Sequence, residues 1–206
     1  MTRLSSVGIL VLVLSLGACT SEKPAPQVTP TPIASATSKA PAAVKYRYQP
    51  STVDLCKTDL APLAELKLAP KKTDNTLPLA GPGEACLFEM TTPSGHIASL
   101  RVEAVALTSS EDAQRLYRTQ HDTTRMKPDG SISGLGDEAE GFTLETEPGF
   151  KYSEYRVHAR QDNLVLEIWV AVGGNAFTPK QILAAVAQAV TRTTLATVSA
   201  AWPNRV

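Results

Sequence analysis

The sequence predicts an α+β fold in which helices pack on one face of an antiparallel sheet of about five strands. Two observations predict it. Apolar residues alternate with a period of two in several segments after residue 84, and segments with helical spacing stand before, between and after them. The resulting order, α-β-β-α-β-β-β-α, lacks the repeating βαβ rhythm of a parallel sheet, so we expect antiparallel pairing.

The folded part is expected to begin with a short helix from Thr58 or Asp59 to Leu68. Leucines recur every three residues along it, and Pro62 falls in its first turn, where a missing N–H is tolerated. Residues 70–83 contain prolines and glycines and are expected to form a loop.

Two strands are predicted next, over residues 85–90 and 97–107, with a turn over 91–95. The second strand has the clearer alternation, which places one set of side chains in the core: Leu100, Val102, Ala104 and Ala106. Ser109 or Ser110 then caps a helix over 111–125, whose apolar stripe is short. We therefore expect that helix to pack at the edge of the sheet.

Three more strands are predicted over residues 138–145, 152–160 and 164–172, and the last has the most regular alternation. Asp162-Asn163 between the last two favours a tight hairpin. Thr178 and Gln181 then match a capping box, which predicts a final helix whose core-facing residues recur every four positions.

The N-terminus has the pattern of an export signal. Residues 7–16 are almost wholly apolar and would span only about 15 Å as a helix, too short for a membrane anchor. They end in Leu16-Gly17-Ala18-Cys19, which resembles a bacterial lipobox. The resemblance implies that residues 1–18 are a lipoprotein signal peptide and that Cys19, the mature N-terminus, carries the lipid that holds the protein at the membrane.

Residues 19–45 are rich in Pro, Ala, Ser and Thr and contain no aromatic residue before Tyr46. Such a segment is expected to be a disordered linker that spans roughly 25–30 Å as a flexible coil. The domain is expected to cover residues 46–200, with a tail over 201–206.

Composition and charge exclude one class of function. Twenty basic and twenty acidic side chains give a formal net charge of zero, and only 5% of residues are aromatic. A non-specific nucleic-acid binder needs a basic surface, so we expect no nucleic-acid partner.

Export of the protein would give each of the three cysteines a role. With Cys19 assigned to lipid, Cys56 and Cys86 remain, and an even pair in an oxidising compartment predicts a disulfide. The three histidines are scattered singly, so we expect no metal site, and no motif indicates a cofactor or a catalytic residue.

Two groups of polar residues carry alternative interpretations. Arg156, His158 and Arg160 alternate along one strand and form either a basic stripe for an anionic ligand or lipid headgroup, or the solvated face of a half-buried sheet. The carboxylates at and after Asp137 form either an acid/base pair of a hydrolase or a solvated turn.

Several short motifs together resemble the actinobacterial DUF3558 family of lipoproteins. Besides the lipobox and linker, the shared features are Asp54-Leu55-Cys56, Cys86, the segment Gly134-Leu-Gly-Asp-Glu-Ala139 and the run Arg160-Gln-Asp-Asn-Leu-Val165. Leu87 and Asp162 depart from the family, which often has Trp and Gly there. The resemblance implies a PsbP/Mog1-like domain that binds rather than catalyses.

We therefore expect a non-enzymatic lipoprotein on the extracytoplasmic side of the cell membrane, whose domain binds a small ligand, a lipid or an envelope protein. The alternatives are an envelope hydrolase that uses the carboxylates near Asp137, and an accessory subunit of a transporter or signalling complex.

Overall fold

The computed structural model describes residues 47–203, so the predicted signal peptide, lipobox and linker lie outside the described residues. Seven strands form one antiparallel sheet in the order β1-β2-β3-β7-β6-β5-β4. The α+β class is confirmed. The elements in chain order are two 3₁₀ helices (Leu55–Lys57 and Ala61–Leu66), β1 (Pro70–Thr76), β2 (Gly83–Thr91), β3 (Ile97–Ala106), α1 (Ser110–Thr123), β4 (Lys127–Ser131), β5 (Glu138–Thr146), β6 (Lys151–Gln161), β7 (Leu164–Gly174) and α2 (Lys180–Ala201).

The predicted number of about five strands is too low, because both edge strands were missed. β1 lies within the segment expected to be a loop, and β4 lies in the Gly-rich connection before β5. Neither strand buries a side chain, so neither shows the alternation that marks a strand in the sequence. Each of these two strands is held by backbone hydrogen bonds to one neighbouring strand, and such bonds require no apolar pattern in the sequence.

Two predicted helix starts are also wrong. The expected first helix is instead the pair of 3₁₀ helices; Asp54 caps the first of these by accepting a hydrogen bond from the Cys56 N–H at 3.1 Å. At α2, the predicted capping box does not form, since the Thr178 N–H donates to Ser153 Oγ at 3.0 Å and the helix has no side-chain cap. Ser153 of β6 thus accepts the Thr178 N–H that the capping box would have paired with the Gln181 side chain.

The two α-helices lie on opposite faces of the sheet, so the expectation that helices share one face is wrong. On one face, α2 packs its Leu183 and Val186 into the main core with Leu166 and Ile168 of β7. On the other, Ala113 of α1 packs against a smaller cluster of Val105 and Val165. α1 contacts the inner strands β6 and β7 rather than the sheet edge. On this face β7 and its neighbour β3 carry the apolar side chains of Val165 and Val105, against which α1 packs.

Within residues 47–203, α2 is the single helix long and apolar enough to cross a membrane. Its buried residues include Val190 and Val198, which belong to the main core. The domain also extends past the predicted boundary at residue 200, since Trp202 is fully buried and Pro203 forms a β-bridge with Tyr48.

The sheet has two distinct ends. At the entry end lie the first described residues, the β1–β2 loop and the β6–β7 turn, where the Tyr48 N–H donates to Asn163 Oδ1 at 2.9 Å. The predicted Asp162-Asn163 hairpin is confirmed there. At the far end lie the β2–β3 turn, the β5–β6 turn and the β7–α2 connection. The chain that precedes residue 47 therefore joins the domain at the entry end.

Candidate functional site

The structure places Arg156, His158 and Arg160 on one face of β6, the face towards α1, as their alternation predicted. Each of the three side chains meets a carboxylate. On the neighbouring strands, His158 lies opposite Glu140 and Glu167, and Arg160 lies opposite Glu138. The stripe is thus neutralised within the sheet rather than presented as a free positive surface.

Glu167 is the acidic centre of this face. Its Oε2 accepts a hydrogen bond from His158 Nε2 at 3.1 Å, and its Oε1 lies 3.7 Å from Arg156 Nε. Burial alone would raise the pKa of Glu167, but the hydrogen bond from His158 and the charges of Arg156 and Arg101 outweigh it, so the pKa lies below its ordinary value. His158 is only 1% exposed and packs against the Phe142 ring.

Arg160 ties the segment from Gly134 to Ala139 to the sheet. Its Nε and Nη2 donate to Glu138 Oε1 at 2.9 and 2.7 Å, and its Nη1 lies 3.3 Å from Asp137 Oδ2. Gly136 has φ +77°, and a Cβ there would stand 2.4 Å from the Arg160 carbonyl oxygen. The carboxylates near Asp137 are therefore engaged in holding a tight turn against β6.

The predicted disulfide is present. Cys56 lies in the first 3₁₀ helix, and Cys86 is a buried residue of β2, with 5.2 Å between their Cα atoms. It fastens the irregular first segment to the core side of the sheet. Cys19 lies outside the described residues, and its lipidation stays a prediction.

An open groove of about 380 Å³ lies at the far end of the sheet, where three connections meet. We call it the far-end groove. Its principal side chains are His96 from the β2–β3 turn, Glu147, Phe150 and Lys151 from the β5–β6 turn and the start of β6, and Asn175 after β7. Loops carried by a rigid sheet are where binding groups concentrate.

Local packing fixes the aromatic part of the groove. The ring centroids of His96 and Phe150 are 5.2 Å apart, and Phe150 also meets the edge of Tyr152. Phe150 lies over Gly173, where a Cβ would approach its ring to 2.8 Å, so only glycine leaves room for it. His96 is held by its own turn, in which Ser94 Oγ lies 3.0 Å from its Nδ1.

Charged groups frame this aromatic pair. Lys151 forms an ion pair with Glu147 and lies 4.9 Å from the centroid of the Phe177 ring. Burial, and then the charge of Glu154, raise the pKa of Tyr152 to about 12, so its hydroxyl stays protonated at neutral pH. The groove therefore combines a ring surface with an amide, a carboxylate and an ammonium group, a set suited to a polar ligand with one apolar face.

Sequence reasoning missed the far-end groove. His96 stands singly in the sequence, and Phe150 follows a Pro-Gly pair that indicates a turn. The turn signals at residues 93–95, 148–149 and 173–175 were all readable, but only the sheet order shows that they meet.

Across residues 47–203, no group of three or more His, Cys, Asp or Glu side chains is placed to hold a metal ion.

Neither a protein-family model nor a curated protein matches the sequence. Among solved structures, the chain is similar to the crystal structure of the extracellular domain of PknH from Mycobacterium tuberculosis. The TM-score is 0.41 and the identity 12%, over 70% of this chain and 99% of that chain. A similarity of this size carries no argument about function, and the family resemblance stays a prediction.

Proposed function

We propose that the protein is a lipid-anchored, extracytoplasmic binding module that holds a polar ligand in the far-end groove without catalysing a reaction. The sequence supports the anchor through Leu16-Gly17-Ala18-Cys19 and the linker after it. The disulfide supports export, because such bonds persist in oxidising compartments.

The observation that carries the binding proposal is the meeting of His96, Phe150 and Asn175 in one groove at the end of the sheet remote from the linker. A tether at the entry end leaves this groove accessible from solvent. The anionic-ligand interpretation of the β6 stripe has less support, since Glu138 and Glu167 already pair with its cations. The carboxylates near Asp137 are similarly occupied by Arg160.

Native mass spectrometry of the full chain extracted from its own envelope tests the groove. We expect an additional bound mass on the wild type that is lost in Phe150→Ala and retained in the control Glu65→Ala, whose side chain is exposed in the second 3₁₀ helix and does not line the groove. A bound mass that survives Phe150→Ala, or none on the wild type, argues against the groove as the ligand site.

The anchor has a separate test. The Cys19→Ala variant should leave the membrane fraction, and the N-terminal peptide of the wild type should carry the mass of a diacylglyceryl group on Cys19. Two or three acyl chains hold a protein stably at a membrane, so the shift in partition should be nearly complete. An unmodified Cys19, or equal membrane partition of both proteins, overturns the anchor.

A further inference from the structure

The β1–β2 loop, residues 77–82, displays two leucines to solvent. Leu77 is 86% and Leu79 81% exposed, with Pro78 between them. Scattered exposed leucines are ordinary on a protein surface. Two of them within three residues of one loop form a small apolar tip, and the other large apolar side chain of residues 47–203 that is comparably exposed, Ile97 at 59%, lies at the far end.

A buried ion pair holds this loop in place. Arg101 and Glu103 are joined at 2.6 Å, and their side chains are 14% and 4% exposed. Arg101 donates to Thr76 Oγ1 at 3.0 Å and to the Leu77 carbonyl at 3.1 Å, and Glu103 Oε1 accepts the Leu79 N–H at 2.9 Å. These bonds satisfy backbone groups beside both leucines, which lowers the cost of placing the tip against a medium without water.

The loop is continuous with the place where the linker joins the domain. The Ala106 N–H donates to the Pro82 carbonyl at 3.0 Å, and the Leu107 N–H donates to the Asn163 carbonyl at 2.8 Å. Asn163 in turn binds the Tyr48 backbone through both its side-chain oxygen and its amide nitrogen. The entry end of the sheet thus carries the leucine tip, the β6–β7 turn and the point where the linker joins the domain.

We infer that Leu77 and Leu79 dock on the lipid surface to which Cys19 anchors the chain, an inference that rests on the proposed lipid anchor. The coil that the sequence predicts for residues 19–45 would span roughly 25–30 Å, a length that keeps the tip within reach of the bilayer. Short flexible linkers give effective concentrations in the millimolar range, so a weak apolar contact suffices. The ten residues of β3 then hold the far-end groove about 30 Å from the membrane.

Fluorescence quenching in vesicles of phosphatidylcholine with brominated acyl chains tests this orientation. The proteins are the full lipidated chain carrying Leu79→Trp and a matched control carrying Ile97→Trp, an exposed apolar position at the opposite end of the sheet. The wild type contains Trp169 and Trp202, and its emission is subtracted from that of both variants. We expect at least a twofold loss of the added emission in Leu79→Trp and no loss in Ile97→Trp.

The outcomes separate the two proposals. Flotation of the wild type with the vesicles reports the anchor, so a chain that does not float contradicts the lipid anchor itself. A chain that floats but shows no quenching in Leu79→Trp, or equal quenching at both positions, overturns the docking of the tip alone. If the emission of Leu79→Trp changes only in native envelopes, and never in pure lipid vesicles, the tip binds a protein partner. That result would also overturn the inference.

Discussion

The two faces of the sheet differ although the same strands build both. In β7, Leu166 and Ile168 point into the core beneath α2, while Glu167 and Trp169, which alternate with them, point to the opposite face. The α2 face is continuous and apolar. The α1 face has one small apolar cluster at the entry end, and it also carries ion pairs such as Arg101–Glu103 and His158–Glu167. The alternation of side chains along each strand therefore produces one apolar face and one charged face.

The difference indicates a division of roles. Burial of apolar area gives the α2 face most of the folding free energy. Buried ion pairs contribute little net stability once their desolvation is counted, but each becomes costly when one partner is removed. On the α1 face they hold the β1–β2 loop and the turn near Asp137 in fixed positions. Substitutions on the two faces should consequently differ in size and in their response to pH.

The largest effect is expected on the α2 face. Ile168→Ala removes a fully buried side chain from the central strand of the main core and should lower the free energy of unfolding by about 2–5 kcal/mol. Urea denaturation followed by circular dichroism measures it. Leu79→Ala, an exposed control, should stay within about 0.5 kcal/mol. Equal effects from the two variants would contradict the assignment of the core.

The disulfide should come next. Cys56→Ser combined with Cys86→Ser releases a crosslink between residues 30 apart, which in the chain-entropy model costs about 3–4 kcal/mol. Urea denaturation of the wild type with and without reductant gives the same comparison without mutation. Agreement between reduced wild type and double variant within error is expected, and an unchanged midpoint in both would show that the bond adds no stability.

Glu167→Gln tests the charged face, with an expected cost of about 1–3 kcal/mol at pH 7, since His158 and Arg156 lose their anion. The pKa of Glu167 is lowered in the folded protein, so its contribution is present above the unfolded pKa of about 4.3 and is lost as pH falls through the folded pKa. Unfolding measured from pH 7 to pH 2.5 should show the wild type and Glu167→Gln converging at the acid end. A constant difference across that range would contradict the ionised role of Glu167.

The same contrast explains what the sequence could predict. Strands with a buried face, such as β3 and β7, have the alternation that identifies them, and their predicted bounds lie within two residues of the observed ones. The edge strands β1 and β4 bury no side chain and left no pattern. The position of α1 was missed for a related reason, because Val105 and Val165 interrupt the polar face only at one end.

The candidate site could be predicted only in part. Arg156, His158 and Arg160 were placed on one face by their spacing, but the carboxylates that neutralise them come from β5 and β7. Pairing partners across strands depend on sheet order, which local spacing does not reveal. The far-end groove was invisible for the same reason, because its side chains lie on three separate connections.

The smallest effect is expected at the cap of α1, the helix that covers part of the charged face. Ser109 Oγ accepts the Asp112 N–H at 3.0 Å and donates to Asp112 Oδ2 at 2.8 Å, and Thr108 donates to the same carboxylate oxygen at 2.6 Å. The hydrogen bonds from Thr108 and Ser109 lower the pKa of Asp112 and keep it ionised at the positive end of the helix.

Ser109→Ala should therefore cost about 1 kcal/mol, and Ser110→Ala, one residue away inside the first turn, should cost less. Hydrogen exchange distinguishes a local from a general effect. We expect faster exchange in the first turn of α1 in Ser109→Ala while β7 keeps its protection, because α1 rests on a small cluster and α2 on the main core. Loss of protection in both at once would mean that the two faces unfold together and that the charged face supports the core more than its composition suggests.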